Sequence, residues 1–314
     1  MPAKDVTYTA KYTIYRLTTL CNIDGAGNYT QYTSEPKSVG ARITLNASAN
    51  DGYTFVGWYE GDTLISKNLS LTITMPKENI TYTAKYYGYT FSLSNDRSYY
   101  VVTGYQGELN GASVIPSMYN GKAVKSIGSR AFLNCYGMSS VFIPNSILTI
   151  GDSAFYRCLS LTSITFASNS KLVSINDLAF GMCPLSSITI PSTVTSLGKA
   201  FESCTSLTNV RFEAGSKLSS LQGTFQYCSS LTSIALPSSV EYVGANSFKY
   251  CSVLQSISLS SNINSIGSEA FSNCIKLVSI TYSGTVDQWK SIDKWSEWNR
   301  DTGDYIVYCS NGEI

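Results

Sequence analysis

The chain has 314 residues, of which 14% are charged, with a net charge of +1 and no histidine. This length is enough for two or three domains, and the sparse, balanced charge makes nucleic acid and anionic membranes poor partners. No apolar stretch approaches the roughly 18 residues of a membrane-spanning helix, so the sequence predicts no membrane insertion. Without histidine, Ser-His-Asp and Cys-His nucleophile pairs and histidine-containing zinc sites are excluded.

The first 86 residues contain an internal duplication. Tyr8-Thr-Ala-Lys-Tyr12 recurs as Tyr82-Thr-Ala-Lys-Tyr86, 74 residues later. We therefore interpret residues 1–12 as the tail of one repeat that is followed by one complete copy. We expect further copies upstream in the full-length protein.

Residues 13–86 predict an all-β domain, because segments with alternating or β-branched composition are separated by turn signals such as Asp24-Gly25. The phrase Gly52-Tyr-Thr-Phe-Val-Gly-Trp58, followed by a strand and Tyr-Thr-Ala-Lys-Tyr, resembles the divergent internalin-type B repeat of Gram-positive surface proteins. Trp58 could serve as a platform for a sugar, but core packing of a small domain is the favoured interpretation. We assign residues 1–87 to this domain and interpret it as a spacer. The predicted strands are Thr13–Leu20, Ala41–Ala47, Tyr53–Tyr59, Ser70–Met75 and Ile80–Tyr86.

The next segment, 88–125, predicts the first element of a second domain, 88–314. Val114-Ile-Pro116 and Val124-x-x-Ile127-Gly128 echo a repeat that becomes regular only further along. The atypical first coil of a solenoid has this character, because it covers an exposed end. We therefore expect 88–125 to be an N-terminal cap.

From Ser126 to Thr281 one phrase returns seven times, in its fullest form Ile-Gly-x-x-Ala-Phe-x-x-Cys-x-x-Leu-x-x-Ile, with Phe-x-x-Cys as its constant part. Successive phenylalanines are separated by 23, 25, 21, 24, 23 and 23 residues, and a fixed period in the twenties indicates a solenoid. The seven pairs are Phe132/Cys135, Phe155/Cys158, Phe180/Cys183, Phe201/Cys204, Phe225/Cys228, Phe248/Cys251 and Phe271/Cys274.

A single repeat predicts a short helical turn and a strand. Gly151 to Cys158 is interpreted as a helical turn with Asp152 as its N-cap, so that Phe155 and Cys158, three residues apart, face inward. In the following strand Ile164 points inward, while Ser163 and Thr165 point outward. Stacked repeats would form an α/β solenoid, with a parallel strand ladder and internal columns of Phe and Cys.

The longer phrase, Leu-x-x-Ile-x-Ile-Pro-x-x-Val-x-x-Ile-Gly-x-x-Ala-Phe-x-x-Cys, resembles the BspA-like leucine-rich repeat of bacterial surface proteins. Leu185 to Cys204 nearly spells it. Leu197, Leu221, Thr224 and Ser247 depart from the pattern, and two repeats are one residue short before Phe. The resemblance covers about 88–314, and it implies a leucine-rich repeat fold and a role in attachment to host proteins, host cells or other bacteria.

Nine cysteines raise the question of disulfides. Seven of them occupy the same position of successive coils, where stacked side chains run parallel and the disulfide dihedral does not fit. A column also offers zinc no set of four converging ligands. We expect free, buried thiols that act as small apolar groups, and no metal. Cys21 and Cys309 lie outside the column and receive no role.

After Ile280 the repeat decays into 284–314, a segment that contains Trp289, Trp295 and Trp298. It resembles the closing segment of BspA-like proteins. The tryptophans could bind carbohydrate, but a C-terminal cap is favoured, because an uncapped last coil would expose its Phe and Leu side chains.

No catalytic motif is present. The chain has no Walker loop, dinucleotide fingerprint, EF-hand loop or nucleophile elbow. A glycosidase needs two facing carboxylates, and the sequence pairs none, although folding could bring two together. We therefore predict a protein that is not an enzyme and that binds no cofactor.

The remaining candidate surface is the outward side of the strand ladder, which is rich in Ser and Thr. These residues could simply suit exposed strands, or they could line a groove for a glycan or an extended peptide. Hot spots favour aromatic residues and arginine, so Phe142 and Arg211 stand out. The candidate ligand-binding residues are Phe142, Ser163, Thr165, Ser187, Thr189, Asn209, Arg211 and Glu213.

The resemblance implies an extracellular or cell-surface bacterial binding protein, an adhesin whose leucine-rich repeat face recognises a host or bacterial surface protein or glycan, and the composition permits this function. Two alternatives stay open. One is a structural stalk or surface-layer element without a specific ligand. The other is an accessory glycan-binding module of a larger secreted protein.

Overall fold

The computed structural model describes residues 14–50 and 52–314; the proposed repeat tail, residues 1–12, lies outside them. The chain forms two compact units. The first comprises the residues up to Gly88 together with Gln106–Glu108, and the second comprises Tyr89–Tyr105 and Leu109–Ile314.

The first unit is all β. β1 pairs antiparallel with β3 and parallel with the first part of β8, which also pairs antiparallel with β5; β2, β4 and β7 form antiparallel pairs. Three short strands, β2, β3 and β6, have no counterpart in the sequence prediction. The strands are β1 (Ile14–Cys21), β2 (Gly27–Tyr29), β3 (Glu35–Ser38), β4 (Arg42–Ala49), β5 (Tyr53–Glu60), β6 (Thr63–Ser66), β7 (Ser70–Thr74) and β8 (Ile80–Leu93), the last of which continues into the second unit.

The core of the first unit surrounds Trp58, whose side chain is fully buried. Its Nε1 donates to the Leu69 carbonyl at 3.4 Å, and Phe55 packs edge-on against it at 5.9 Å. Phe55 also packs against the buried Tyr86 ring, and burial raises the pKa of Tyr86 to about 12. Trp58 is therefore a core residue and not an exposed sugar platform.

The second unit is a parallel-strand β-solenoid of the leucine-rich repeat type. Its strands are β9 (Tyr100–Gln106), β10 (Gly111–Val114), β11 (Met118–Tyr119), β12 (Lys122–Ile127), β13 (Met138–Ile143), β14 (Thr149–Ile150), β15 (Ser163–Phe166), β16 (Ser174–Ile175), β17 (Ser187–Ile190), β18 (Ser196–Leu197), β19 (Asn209–Phe212), β20 (Ser220–Leu221), β21 (Ser233–Ala235), β22 (Tyr242–Val243), β23 (Ser256–Leu259), β24 (Ser265–Ile266), β25 (Ser279–Tyr282), β26 (Asp293–Lys294), β27 (Ile306–Cys309) and β28 (Gly312–Glu313).

Each regular coil contributes to three stacks. The longer strands, β13, β15, β17, β19, β21, β23 and β25, we call the front strands. The two-residue strands between them form a second, back set, in which β14, β16 and β18 pair in order, as do β20, β22, β24 and β26. The Phe-x-x-Cys segments form the third stack, the turn ladder.

The turn ladder is not helical, so the α/β part of the fold prediction is wrong. In every Phe-x-x-Cys segment the cysteine N–H donates to the Phe carbonyl three residues back, at 3.0–3.2 Å. The second residue after each Phe has a positive φ of 58–61°, as the third position of a type II turn requires. Asp152 caps no helix; its carbonyl instead accepts from the Arg130 N–H of the preceding coil at 2.9 Å.

A physical reason for these tight turns lies in the bonds between coils. Each Phe N–H donates to a carbonyl of the next coil at 2.7–3.1 Å, from Phe132 to Ala154 at one end through to Phe271 and Trp298 at the other. In a helix each of these N–H groups would donate to the carbonyl four residues earlier in the same coil. The turns leave them free to join the coils, and the stacking therefore decides the local conformation.

The seven repeat phenylalanines are fully buried and form one stack of nearly parallel rings. Neighbouring centroids lie 4.9–5.8 Å apart, with interplanar angles of 6–16°. Tyr105 stacks on Phe132 at 5.9 Å, and Trp298 packs edge-on against Phe271 at 6.0 Å. An aromatic ring thus covers each end of the stack.

The seven repeat cysteines are free and buried. In six of them the thiol donates to the carbonyl of the repeat phenylalanine in the preceding coil at 3.1–3.3 Å, as Cys183 does to Phe155. The thiol is therefore a hydrogen-bond donor between coils as well as the small apolar group that the sequence predicts. Burial raises the pKa of Cys204, Cys228 and Cys251 well above the ordinary value.

The segment after Cys183 is one residue shorter than in the full repeat phrase, which places two residues between Cys and Leu. Its repeat leucine, Leu185, comes after a single residue, Pro184, whereas Cys204 and Leu207 are separated by two. In the regular repeats the leucine N–H donates to the cysteine carbonyl, as at Leu207, where the bond is 3.0 Å long. The shorter segment after Cys183 cannot make this three-residue turn, yet its side chain keeps its buried place in the column.

Within the described residues the only α-helix is α1 (Val286–Ser291). The Thr285 side chain accepts from the Gln288 N–H while the Gln288 side chain accepts from the Thr285 N–H, which makes a capping box. Trp289 is buried, whereas Trp295 is 52% exposed. Two of the three tryptophans therefore pack against the last coils.

Candidate functional site

The outward side chains of the front strands form a surface that we call the front face. Residues alternate along these strands, as in β17, where Ser187 and Thr189 are exposed while Ile188 and Ile190 are buried. Hydroxyl groups line up across paired strands, for example Ser256 beside Ser279 and Ser258 beside Thr281. The front face is thus polar, and the buried side chains of the same strands anchor it to the core.

The front ladder is interrupted at two places. β13 pairs with β15, β17 pairs with β19, and β21, β23 and β25 pair in order. However, β15 and β17 belong to different sheets, and so do β19 and β21. The back set is likewise unpaired between β18 and β20, whereas the turn ladder is bonded across both places and holds the coils together.

The first opening lies between β15 and β17 and encloses about 310 Å³. The exposed side chains of Ser163, Thr165, Ser187 and Thr189 line it, together with the carboxylate-bearing Glu213. The facing edges of the two strands are unpaired, so main-chain groups border the same space as the four hydroxyls.

The second opening lies between β19 and β21 and encloses about 480 Å³. Arg211 and Glu213 line it with the half-buried Phe212 ring, and Pro237 and Ser238 form the opposite wall. This opening therefore combines a cation, a carboxylate, an aromatic ring and a hydroxyl group.

Both openings follow a front strand whose outgoing loop is two residues longer than the loop after β17 or β21. The two long loops share the pattern Phe-x-x-x-Ser-Lys-Leu, at Phe166–Leu172 and Phe212–Leu218. They are built alike: Ser170 Oγ accepts from the Leu172 N–H and Ser216 Oγ from the Leu218 N–H, each at 3.3 Å. A longer loop displaces the end of the strand, and the ladder opens behind it.

Proline on the opposite wall removes the bond that would close each opening. Where the front ladder is intact, the residue after the strand donates to the previous coil, as the Glu213 N–H does to the Ile190 carbonyl at 3.0 Å. At the two openings this position is Pro191 or Pro237, which has no N–H to donate. Pro144 sits in a paired region, so proline acts together with the long loop.

Arg211 and Glu213 dominate the electrostatics of the front face. Arg211 is the only charged residue at an outward position of the seven front strands, and no residue in the described part of the chain forms an ion pair with it. Glu213 is held in place because its Oε2 accepts from the Ser192 N–H at 2.9 Å. Glu213 lines both openings.

The predicted ligand-binding residues do not all come together. Ser163, Thr165, Ser187, Thr189, Arg211 and Glu213 line one or both openings. Asn209 is exposed on β19 but lines neither opening. Phe142 is 36% exposed, and its strand neighbours are Val114 and Thr165.

The residues predicted to form the internal columns lie together in the core, away from the front face. All of them are buried, including Cys183 despite its irregular repeat. None of them lines either opening, so the columns support the front face and do not contribute to its surface. The column residues are Phe132, Cys135, Phe155, Cys158, Phe180, Cys183, Phe201, Cys204, Phe225, Cys228, Phe248, Cys251, Phe271 and Cys274.

Sequence reasoning missed the openings themselves and the wall residues Phe212, Pro237 and Ser238. The signal was present, since the Phe-x-x-x-Ser-Lys-Leu loop occurs twice and is followed each time by a coil with Pro after its strand. Within residues 14–50 and 52–314, no three acidic or cysteine side chains cluster as a metal site would require. In the same range no helix has the length and apolar character needed to cross a membrane.

Comparison with protein families gives two matches. The BspA type leucine-rich repeat region matches in six copies over residues 125–223 and 216–294, together more than half of the chain. The divergent InlB B-repeat domain matches residues 17–89. A comparison with curated proteins gave no match.

Several solved structures resemble the chain. A Treponema pallidum leucine-rich repeat protein is 26% identical, with 63% of this chain and 84% of that one covered and a TM-score of 0.45. A leucine-rich repeat protein from Bacteroides ovatus is 23% identical over 69% of this chain and 70% of its own, with a TM-score of 0.47. The pneumococcal vaccine antigen PcpA is 20% identical over 62% and 67%, with a TM-score of 0.39.

Proposed function

Because the chain belongs to the BspA-type leucine-rich repeat family, whose members are typically bacterial surface or secreted proteins, we propose that it is a non-enzymatic extracellular adhesin. Its front face recognises a host or bacterial surface protein or glycan. The observation that carries this proposal is the front face itself. It is an exposed polar surface on a rigid scaffold, with two openings that expose main-chain groups and the unpaired Arg211.

The rigidity of the scaffold supports binding through this face. Loops and side chains that must be ordered on binding reduce affinity, whereas the front strands are held by the buried ring stack and by the turn ladder. Extended faces of solenoids commonly bind partners for this reason. Arg211 and Phe142 are the side chains of the front face that are best suited to act as hot spots.

We propose separate roles for the two units, with 1–87 as spacer and 88–314 as binding domain, capped by 88–125 and 284–314. The buried position of Trp58 supports a structural role for the first domain. If 1–87 carries the binding function instead, substitutions on the front face leave binding unchanged.

The test is saturable binding of the whole chain to an array of matrix proteins and glycans, followed by the variants Arg211→Ala and Phe142→Ala. We expect each variant to weaken binding at least fivefold; Arg211→Ala should leave the melting temperature unchanged, and Phe142→Ala, which removes a ring that is 36% exposed, should lower it while the chain stays folded. The matched controls are Arg157→Ala and Leu159→Ala, at exposed positions near the turn ladder. Equal losses in front-face and control variants would contradict binding through the front face, and a chain that only self-associates would favour a structural stalk.

A further inference from the structure

The two openings are too narrow for a peptide strand. A strand that pairs on both sides needs about 4.8 Å to each neighbour, or roughly 9.6 Å between the strands that flank it. Residues of β15 and β17 still come within 8 Å of each other, Cα to Cα, and so do residues of β19 and β21. The openings therefore admit small groups such as hydroxyls or a carboxylate, and they exclude insertion of a chain segment.

The groups that line the openings match a saccharide. Unpaired strand edges carry both N–H donors and carbonyl acceptors, and a sugar hydroxyl can serve either, since it donates and accepts. The hydroxyls of Thr165, Ser187 and Ser238 add groups with the same double capacity. In the second opening, the half-buried residues Phe212 and Pro237 add apolar lining, which suits the C–H face of a pyranose.

The charges distinguish the two openings. Arg211 lines only the second opening and lacks an ion pair within the described residues. A guanidinium forms its strongest hydrogen bonds with a carboxylate or a sulfate, often through two parallel bonds. Glu213 lines both openings and is the only charged residue of the first, so the first opening suits neutral hydroxyls that donate to its carboxylate, and only the second opening offers an anion a cation, Arg211.

The distance between the two openings sets the length of glycan that can reach both of them. Two coils separate the opening before β17 from the opening before β21, which corresponds to about 10 Å at the spacing of paired strands. A glycan that crosses the strands would advance by about two sugar units over this distance. Alternate units would then face an opening, while the units between them would pass over the paired strands β17 and β19.

From these observations we propose that the front face binds a linear acidic glycan, in which the carboxylate or sulfate of one unit contacts Arg211 and hydroxyls of a unit near the first opening contact Glu213. This inference rests on the proposed adhesin function and specifies its ligand class. It involves no chemical step, since the glycan is bound and released unchanged.

The test measures binding of the whole chain by calorimetry to cello-oligosaccharides of two, four and six sugar units that carry a single terminal glucuronate, with unmodified, neutral cello-oligosaccharides of the same lengths for comparison. We expect affinity to rise at least tenfold from two to six units, because only the longer ones reach both openings. We expect the neutral series to bind at least tenfold more weakly than the acidic one at equal length.

Two pairs of variants locate the contact. Arg211→Gln should weaken binding of the acidic hexasaccharide at least tenfold, whereas Arg157→Gln removes the same charge from the turn ladder, outside both openings, and should leave it unchanged. Thr189→Trp should block the first opening. Ser258→Trp, at the same register position of a strand that is paired on both sides, should have no effect.

Equal effects of Arg211→Gln and Arg157→Gln would overturn the inference, since binding would then follow overall charge. An acidic peptide such as oligoglutamate that binds with the same dependence on Arg211 would also overturn it and assign the site to protein ligands. If the chain still adheres to a surface but no oligosaccharide competes, the glycan inference fails and the adhesin function stands. If the chain binds no surface at all, both fail.

Discussion

The turn ladder and the front ladder are built from the same seven repeats, yet the first is continuous and the second is broken twice. In the turn ladder every repeat keeps the spacing between Phe and Cys, and both side chains are buried. Along the front, the loop that follows the strand varies in length. The buried stack therefore holds the coils together, so that the exposed ladder can open without separating them.

The two ladders also differ in the changes of segment length that they tolerate. The spacing between Phe and Cys is the same in all seven repeats, because both side chains are buried and close-packed interiors do not accommodate a shift of one against the other. Two extra residues in an exposed loop only displace a strand end, because loops reach into solvent. The long loops after β15 and β19 are where the repeat has this freedom, and the two candidate binding openings lie there.

The largest expected effect comes from breaking the buried stack at its centre. Phe201→Ala removes a ring that packs against Phe180 and Phe225 at 5.7 and 5.8 Å, and it should lower the free energy of unfolding by about 3–5 kcal/mol. Thr189→Ala, on the exposed front strand, should change it by less than about 0.5 kcal/mol. Urea unfolding of both variants measures the contrast, and similar losses would show that the front ladder contributes as much as the core.

The second effect concerns the cysteine column at high pH. Burial raises the pKa of the Cys274 thiol to about 12, from an ordinary value near 9. Since the unfolded chain releases this proton first, the stabilising effect of the thiol is complete below about pH 9 and is lost as the pH rises towards 12. Each such thiol should lower the free energy of unfolding by about 1.4 kcal/mol per pH unit in that window.

Unfolding of the parent chain and of Cys274→Ala, measured from pH 8 to about pH 11, tests this expectation. The variant should show a shallower loss of stability with pH than the parent. Identical pH slopes for Cys274→Ala and the parent would mean that this thiol is not protected by the fold.

A smaller effect should follow from removing one thiol donor at neutral pH. Cys228→Ala deletes the bond from its Sγ to the Phe201 carbonyl, 3.3 Å long, but that carbonyl keeps its bond from the Cys204 N–H. We expect a loss of about 1–2 kcal/mol from the bond and the small cavity together. A loss of less than about 0.5 kcal/mol in the free energy of unfolding would indicate that the thiol hydrogen bonds do not contribute to stability.

The smallest effect should come from adding a backbone hydrogen-bond donor at the first opening. Pro191→Ala supplies an N–H at the position from which paired coils donate and should change stability by no more than about 1 kcal/mol. Hydrogen exchange provides the readout: amides of β17 should exchange faster than those of β23, which is paired on both sides. Equal protection of the two strands in the parent chain would contradict the opening.

Much of the fold follows from residue periodicity. Spacing alone predicts the inward side of β15 and β17, the buried Phe and Cys columns and the all-β character of the first domain. It does so because alternation and repetition indicate which side chains are buried. The outward positions Ser163, Thr165, Ser187 and Thr189 were identified in the same way. Their gathering around one opening was not, because it depends on a strand pair that fails to form.

The period, the buried columns and the polar character of the front strands therefore follow from the sequence alone, since each repeat must bury the same side against its neighbours. The conformation of the Phe-x-x-Cys turns, the donor role of the thiols and the position of the two openings arise only when the coils stack. These features rest on hydrogen bonds between residues more than 20 positions apart, such as Cys183 and Phe155 or Cys228 and Phe201. Whether such a bond forms depends on how both coils are shaped, and a pattern read along one coil does not contain that information.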